Sequence, residues 1–175
     1  MKKYIFILVV TVAFLTSCGG SGGSASGQTY TLKLDKEGFK DCPIEIDIPE
    51  HWHYSGVSGM KYNVKIIADM GFEGSISITP MEAERCITSL DTLKTSSLRY
   101  ANYDHEKATV IEEIKLRNGI GIRYTQPFPV GKEIYKYFIV FIQVKGKCYM
   151  VENSDFDDRE NAKWDVEKTM IESIR

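Results

Sequence analysis

The sequence predicts an α+β domain, an antiparallel β-sheet sandwiched between helices. Three observations lead there. Most of the chain after Gln28 alternates apolar and polar residues, the pattern of strands with one buried face. One run, Ile134–Val144, is apolar on both faces, as a central strand covered on both sides must be. Two further segments switch to a helical period, and helices can cover such a strand from either side.

Taken in order, Tyr30, Leu32 and Leu34 alternate with polar residues, as do Ile44, Ile46 and Ile48 before Pro49 stops the run. Tyr62, Val64, Ile66 and Ala68 repeat the pattern, followed by Ile76 and Ile78. From Cys86 to about Tyr103, the residues Ile87, Leu90, Leu93, Leu98 and Ala101 fall near one helical face. Val110–Leu116 and Ile120–Gln126 read as a hairpin around Arg117-Asn118-Gly119. A two-residue Asn-Gly loop would mix the faces. A three-residue loop sets Leu116 opposite Ile120 and Ile114 opposite Ile122, with Gly119 as the left-handed residue, and is the expected register.

In Ile134–Val144, the side chains of Tyr135, Tyr137, Ile139 and Phe141 point one way, and those of Phe138, Val140, Ile142 and Val144 the other. Lys145-Gly146-Lys147 turns the chain into a last strand, Cys148–Glu152. Asp157 to Ile174 is the second helix, with Ala162, Val166, Met170 and Ile174 on one face and Asp155 or Asp157 as its N-cap.

Ahead of this domain (28–175) lie two segments of different character. Residues 1–17 open on Lys2 and Lys3, continue through the twelve-residue apolar run Tyr4–Leu15, and lead into Leu15-Thr16-Ser17-Cys18. The run is too short for a membrane span, which needs roughly twenty residues, and it suits the apolar core of a signal peptide. Residues 18–27 are Cys18 and a flexible Gly/Ser tether. This order resembles the signal peptide and lipobox of bacterial lipoproteins. The resemblance implies removal of residues 1–17, acylation of Cys18, and stable attachment to a membrane by several acyl chains. Gly19 stands where many inner-membrane lipoproteins carry a retaining aspartate. The implied location is therefore the cell envelope, at the outer membrane facing the periplasm.

The chain carries 22 basic and 24 acidic residues. Without Lys2 and Lys3 the balance is 20 against 24, a net charge of −4. No dense basic block offers a footprint for nucleic acid or for anionic lipid.

With Cys18 lipidated, Cys42, Cys86 and Cys148 remain. Export favours oxidation, and an odd number permits one intrachain bridge in three pairings. Cys42 and Cys86 both lie at element boundaries, so Cys42–Cys86 is the pairing to test first. Cys148, within a strand, reads as a small buried apolar residue. The spacings match no zinc motif.

The order of elements also resembles the PsbP-like fold, over roughly Ile44–Arg175. The residues that carry this are Ile46-Asp47-Ile48-Pro49-Glu50-His51-Trp52, then Cys148-Tyr149-Met150-Val151-Glu152-Asn153-Ser154, and the ending Ile171-Glu172-Ser173-Ile174-Arg175. The resemblance implies an antiparallel sheet between helices (an α/β/α arrangement) and non-enzymatic binding or assembly work. It brings no catalytic residue with it.

The residues themselves agree. His51 and His53 flank Trp52 and could hold a metal with Glu50 or Asp47, but histidines near a turn are more often exposed, and no metal site is expected. Asp155, Asp157, Asp158 and Glu160 suit a helix start, where the dipole favours acids. Cys86, Cys148 and His105 are the pieces of a Cys–His pair with nothing linking them. Glu112 and Glu113 alternate faces in a strand, so they do not converge. No nucleophile elbow, phosphate loop or dinucleotide fingerprint occurs. No catalytic residue and no cofactor is therefore expected, and the chain is read as not an enzyme.

The aromatics point to binding. Tyr100, Tyr103, Phe128, Tyr135 and Tyr137 flank loops and the doubly apolar strand. Phe128 sits in a loop stiffened by Pro127 and Pro129. Phe128, Tyr135 and Tyr137 are the expected contacts with an envelope protein partner. The alternative is a small-molecule or ion site between the sheet and a helix layer.

Overall fold

The computed structural model describes residues 28–37, 42–58, 63–68, 75–101, 103–127, 133–153 and 160–175. Cys18 with its tether, Phe128 and the acidic stretch Asp155–Asp158 lie outside the described residues.

The domain is built on a seven-stranded, wholly antiparallel sheet in the order β3-β4-β5-β9-β8-β7-β6. Its strands are β3 (Trp52–Ser58), β4 (Asn63–Ala68), β5 (Ser75–Met81), β6 (Thr109–Leu116), β7 (Gly119–Pro127), β8 (Ile134–Val144) and β9 (Lys147–Asn153). β1 (Thr29–Lys33) and β2 (Glu45–Pro49) pair with each other in a separate two-stranded sheet. Both edge strands of the large sheet, β3 and β6, carry a register irregularity, a feature that discourages edge-to-edge association.

Alternation along β8 divides the core as expected. Phe138, Val140, Ile142 and Val144 join Ile66, Ile76, Ile78, Ile114, Tyr149 and Val151 on one face. That face is covered by the β1–β2 pair (Leu32, Ile46, Ile48) and by α2 (Glu160–Ser173) with Trp164, Met170 and Ile171. On the other face Ile139 and Phe141 join Ile122, Tyr124, Cys148 and Met150. They pack under α1 (Leu90–Thr95) through Leu93, and under Leu98, Ala101 and Tyr103. The fold is thus α+β, an antiparallel sheet between two layers, one of which is part helix and part hairpin.

Adjacent glutamates fasten both layers. Glu112 faces α2, where its Oε2 accepts from Trp164 Nε1 at 3.0 Å and its Oε1 pairs with Lys168 Nζ at 2.6 Å. Arg123 stacks on the Trp164 ring at 4.8 Å. Glu113 faces the other way and pairs with Lys94 of α1 at 2.7 Å. Beyond α2, Arg175 exchanges backbone hydrogen bonds with Glu45, and its guanidinium grips Asp47 at 2.9 and 3.0 Å.

Three expectations are corrected. The helix expected from Cys86 to Tyr103 is six residues long, Leu90–Thr95, capped by the Ser89 hydroxyl on Thr92 N–H. Ser96 is extended, and the hydroxyls of Thr95 and Ser96 bond back to carbonyls of the turn before them, a competition that ends helices. Leu93, Leu98 and Ala101 are buried as the helical spacing suggested, but short 3-10 turns and a bridge between Leu98 and Tyr103 place the outer ones. The second helix covers Glu160–Ser173 among the described residues, and its expected start at Asp157 lies outside them.

The β6–β7 hairpin takes neither register considered. Leu116 pairs with Gly119 and Ile114 with Gly121, around a two-residue turn, Arg117-Asn118. Glycine opposite an apolar side chain works here because β8, the neighbouring strand in the sheet, crowds these positions. A Cβ on Gly119 would stand 2.2 Å from the Phe141 carbonyl oxygen, and one on Gly121 2.5 Å from that of Ile139. The turn is held from outside itself, since the Asn118 carbonyl accepts from Gln143 N–H and the Asn118 amide donates to the Ile174 carbonyl. Lys145-Gly146, both at positive φ, form the β8–β9 turn, as a primed hairpin turn requires.

The disulfide joins Cys86 to Cys148, with Cα atoms 5.9 Å apart, so the expected Cys42–Cys86 bridge does not form. Cys148 is a bridging residue, not a lone apolar one. The reason is the period of the strand. Cys148 faces the α1 side, where Cys86 follows the 3-10 turn Ala83–Arg85. Its neighbour Tyr149 faces the opposite side, where it contacts Cys42. The sheet stands between Cys42 and the other two. Cys42 is a buried free thiol whose pKa is pushed up by burial.

Candidate functional site

A row of tyrosines crosses the α1 side of the sheet. Tyr124 of β7 lies directly opposite Tyr137 of β8, and their rings stack with centroids 5.5 Å apart. Tyr103 meets Tyr124 edge-on at 4.8 Å, and Tyr135 leans on Tyr137 at 6.4 Å. Tyr103 and Tyr124 are buried, whereas Tyr135 and Tyr137 are half-buried. The row therefore runs from the core to the surface beside the β7–β8 connection. Stacked and edge-on pairs fix each ring by its neighbour. The buried Gln126 side chain holds the segment after Tyr103 by accepting from Asp104 N–H at 2.9 Å.

Glu152 lies next to this row. In β9 it pairs with Ser77 of β5 on one side and Ile139 of β8 on the other. It continues the inward stripe of Cys148 and Met150, at the point where that stripe turns from apolar to acidic. Glu152 is half-buried. Its carboxyl makes no hydrogen bond or ion pair with a described residue. Burial pushes its pKa up to about 7. Tyr124 is raised above the usual tyrosine range by its own burial and then by the charge of Glu152, and Tyr100 is raised by burial, lowered next by Arg85 and raised last by Glu152.

The residues expected from sequence divide accordingly. Tyr135 and Tyr137 stand together in the row, and Phe128 lies outside the described residues. Tyr100 is exposed and Tyr103 buried. His51 and His53 are exposed on either side of buried Trp52, and among the described residues no three His, Cys, Asp or Glu side chains cluster as metal ligands do. His105 Nδ1 lies 2.9 Å from Ser97 Oγ, and Asp104 contacts that same hydroxyl at 3.4 Å. A catalytic relay would place the acid on the imidazole instead. Glu152, Ser77 and Tyr124 were not singled out from sequence. The signal for Glu152 was present, because alternation from Cys148 and Met150 predicts that it points inward.

A cavity of about 360 Å³ lies at the other end of β9, against the disulfide, lined by Pro80, Met81, Gln143, Lys147 and Tyr149 among others. Gln143 Nε2 lies 3.8 Å from Cys86 Sγ.

No family model matches the sequence, and neither does any curated protein. Among solved structures the chain is similar to cyanobacterial PsbP (CyanoP) from Synechocystis, at 18% identity over 92% of this chain and 98% of that one, with a TM-score of 0.49. It is also similar to a protein from Bacteroides thetaiotaomicron, at 9% identity over 75% of this chain, with a TM-score of 0.46. The chain spans 44% of that protein's length.

Proposed function

We propose that this chain is a lipid-tethered cell-envelope module that binds a protein partner through its tyrosine row and performs no chemistry itself. The observation that carries the reading is the row, four rings locked in sequence with two of them reaching the surface. Aromatic side chains already held in place lose little freedom on binding, and such residues dominate interface energies. Phe128, a contact suggested by its Pro-flanked position in the sequence, lies outside the described residues. The basic start, apolar run and Cys18 support acylation, and the Gly/Ser tether supports a domain held off the outer membrane on its periplasmic side.

The test is crosslinking in native envelopes followed by purification, comparing wild type with Cys18→Ala and with Tyr135→Ser/Tyr137→Ser. A partner captured by wild type and lost with either variant is the expected result. Equal capture by the tyrosine variant would remove the row from the contact, and the same defined partner with Cys18→Ala would remove the need for the anchor. No partner with any form would leave the second reading, a small-molecule binder. The cavity beside the disulfide favours that alternative, being within the ~300–1,000 Å³ range of ligand sites. A ligand there would raise the melting temperature.

A further inference from the structure

Three polar side chains on the α1 side of the sheet have no hydrogen-bond partner among the described residues: Ser77 and Glu152, side by side in β5 and β9, and Tyr124, two strands beyond Glu152 in β7. Ser77 is 6% exposed and Tyr124 is 2% exposed, and Ser77 stands directly across from Glu152 in the ladder. Neither hydroxyl, nor the Glu152 carboxyl, hydrogen-bonds to another described residue. Buried polar groups are nearly always paired, and exceptions call for an explanation. Alternation puts Ser77 and Glu152 on one face of the sheet, with Cβ atoms ~5 Å apart as for any directly opposed pair. Tyr137 lies diagonally across from Glu152, on the same face.

We propose that this cluster is the seat of an arginine side chain from the protein partner, a deepening that rests on the protein-binding reading above. Ser77 and Glu152, directly opposed, can both accept hydrogen bonds from one group between them, and Glu152 is acidic. A guanidinium offers only donors, in a planar fork that fits a carboxylate. The tyrosine rings alongside suit a delocalised cation. A metal ion is the poorer fit, since the cluster has one carboxylate where hard cations collect six or more oxygen ligands. The high pKa of Glu152 agrees, for a carboxyl that lacks a cation in the free protein is the one that gains most from receiving it.

The probe is N-acetyl-arginine amide, titrated into the full chain in detergent micelles and followed by the backbone NMR signals of Ser77, Ile139 and Glu152. N-acetyl-citrulline amide, which has the same shape and no charge, is the control. At pH 8, with Glu152 ionised, the arginine compound should shift these signals and the citrulline compound should not. Glu152→Gln should weaken the effect roughly tenfold or more, the loss of one charge-assisted hydrogen bond. On wild type at pH 5, with the carboxyl protonated, the same loss is expected. That arm decides the matter if Glu152→Gln does not fold. The described groups whose charge acts with that of Glu152 are Tyr100 and Tyr124, with Tyr137 diagonally across from it and Arg85 beside Tyr100, and the phenols among them, all raised in pKa, stay neutral from pH 5 to 8. No shift at tens of millimolar, or equal shifts from citrulline, would overturn the proposal. A failure here that left partner capture by the tyrosine row intact would remove only the arginine. A lost partner with the arginine response retained would instead remove the protein-binding reading.

Discussion

Glu152 shows what one residue costs a fold. Its carboxyl binds a proton more tightly in the folded chain, at about 7, than when exposed, at 4.5. The sign follows from linkage. Its contribution to stability is complete below about pH 4.5 and is lost as pH rises through 7, an effect of roughly 3 kcal/mol at most. Glu152→Gln should therefore match wild type near pH 4.5 and exceed it in denaturant midpoint at pH 8. A difference between the two proteins that stays constant from pH 4.5 to 8 would contradict this. Gly121 is the steric counterpart. Its place was legible as part of a hairpin, but its necessity was not, because the atoms that crowd it belong to Ile139 and Val140 of a strand it meets only in the folded sheet. Gly121→Ala should lower stability by about 1–3 kcal/mol, the cost of overpacking a close contact, measurable by thermal melting. A neutral result would contradict the observed register.

Elements followed the sequence where periodicity was long and departed from it where local hydrogen bonds competed. The alternation of β8 determined which face each side chain takes, and both faces were correctly foreseen. The segment before β6 had helical spacing but also Thr92, Thr95, Ser96 and Ser97, whose hydroxyls offer the backbone other partners. Its helix is short for that reason. The adjacent glutamates make a matched test of how layers are attached. Glu112→Ala leaves the Trp164 N–H and the Lys168 ammonium without their acceptor in a half-buried site. It should cost about 1–2 kcal/mol and speed hydrogen exchange in α2. Glu113→Ala breaks a more exposed pair with Lys94 and should cost no more than about 0.5 kcal/mol. Similar costs for both would mean that α2 is held by apolar packing alone.

At the scale of the whole molecule, one covalent link and one clasp tie distant parts together. The Cys86–Cys148 bridge spans 62 residues of sequence, and its reduction should lower stability by about 2–4 kcal/mol. Peptide mapping without reductant should recover Cys86 joined to Cys148, and Cys42→Ser should leave that link in place. A Cys42-containing bridge would overturn the pairing. Arg175 closes the other face by binding Asp47, whose carboxyl it holds below the usual range with help from Thr31. The sequence alone determined the α+β class, the strand with two buried faces and the two turns as turns. These depend on period and composition, which are local properties. Tertiary structure alone decided the disulfide partner, the hairpin register, the length of the first helix and the meeting of Glu152 with Ser77 and the tyrosine row. Each depends on which residues from remote strands come to lie on the same side of one sheet, and periodicity assigns a face within a strand without saying which strand will stand beside it.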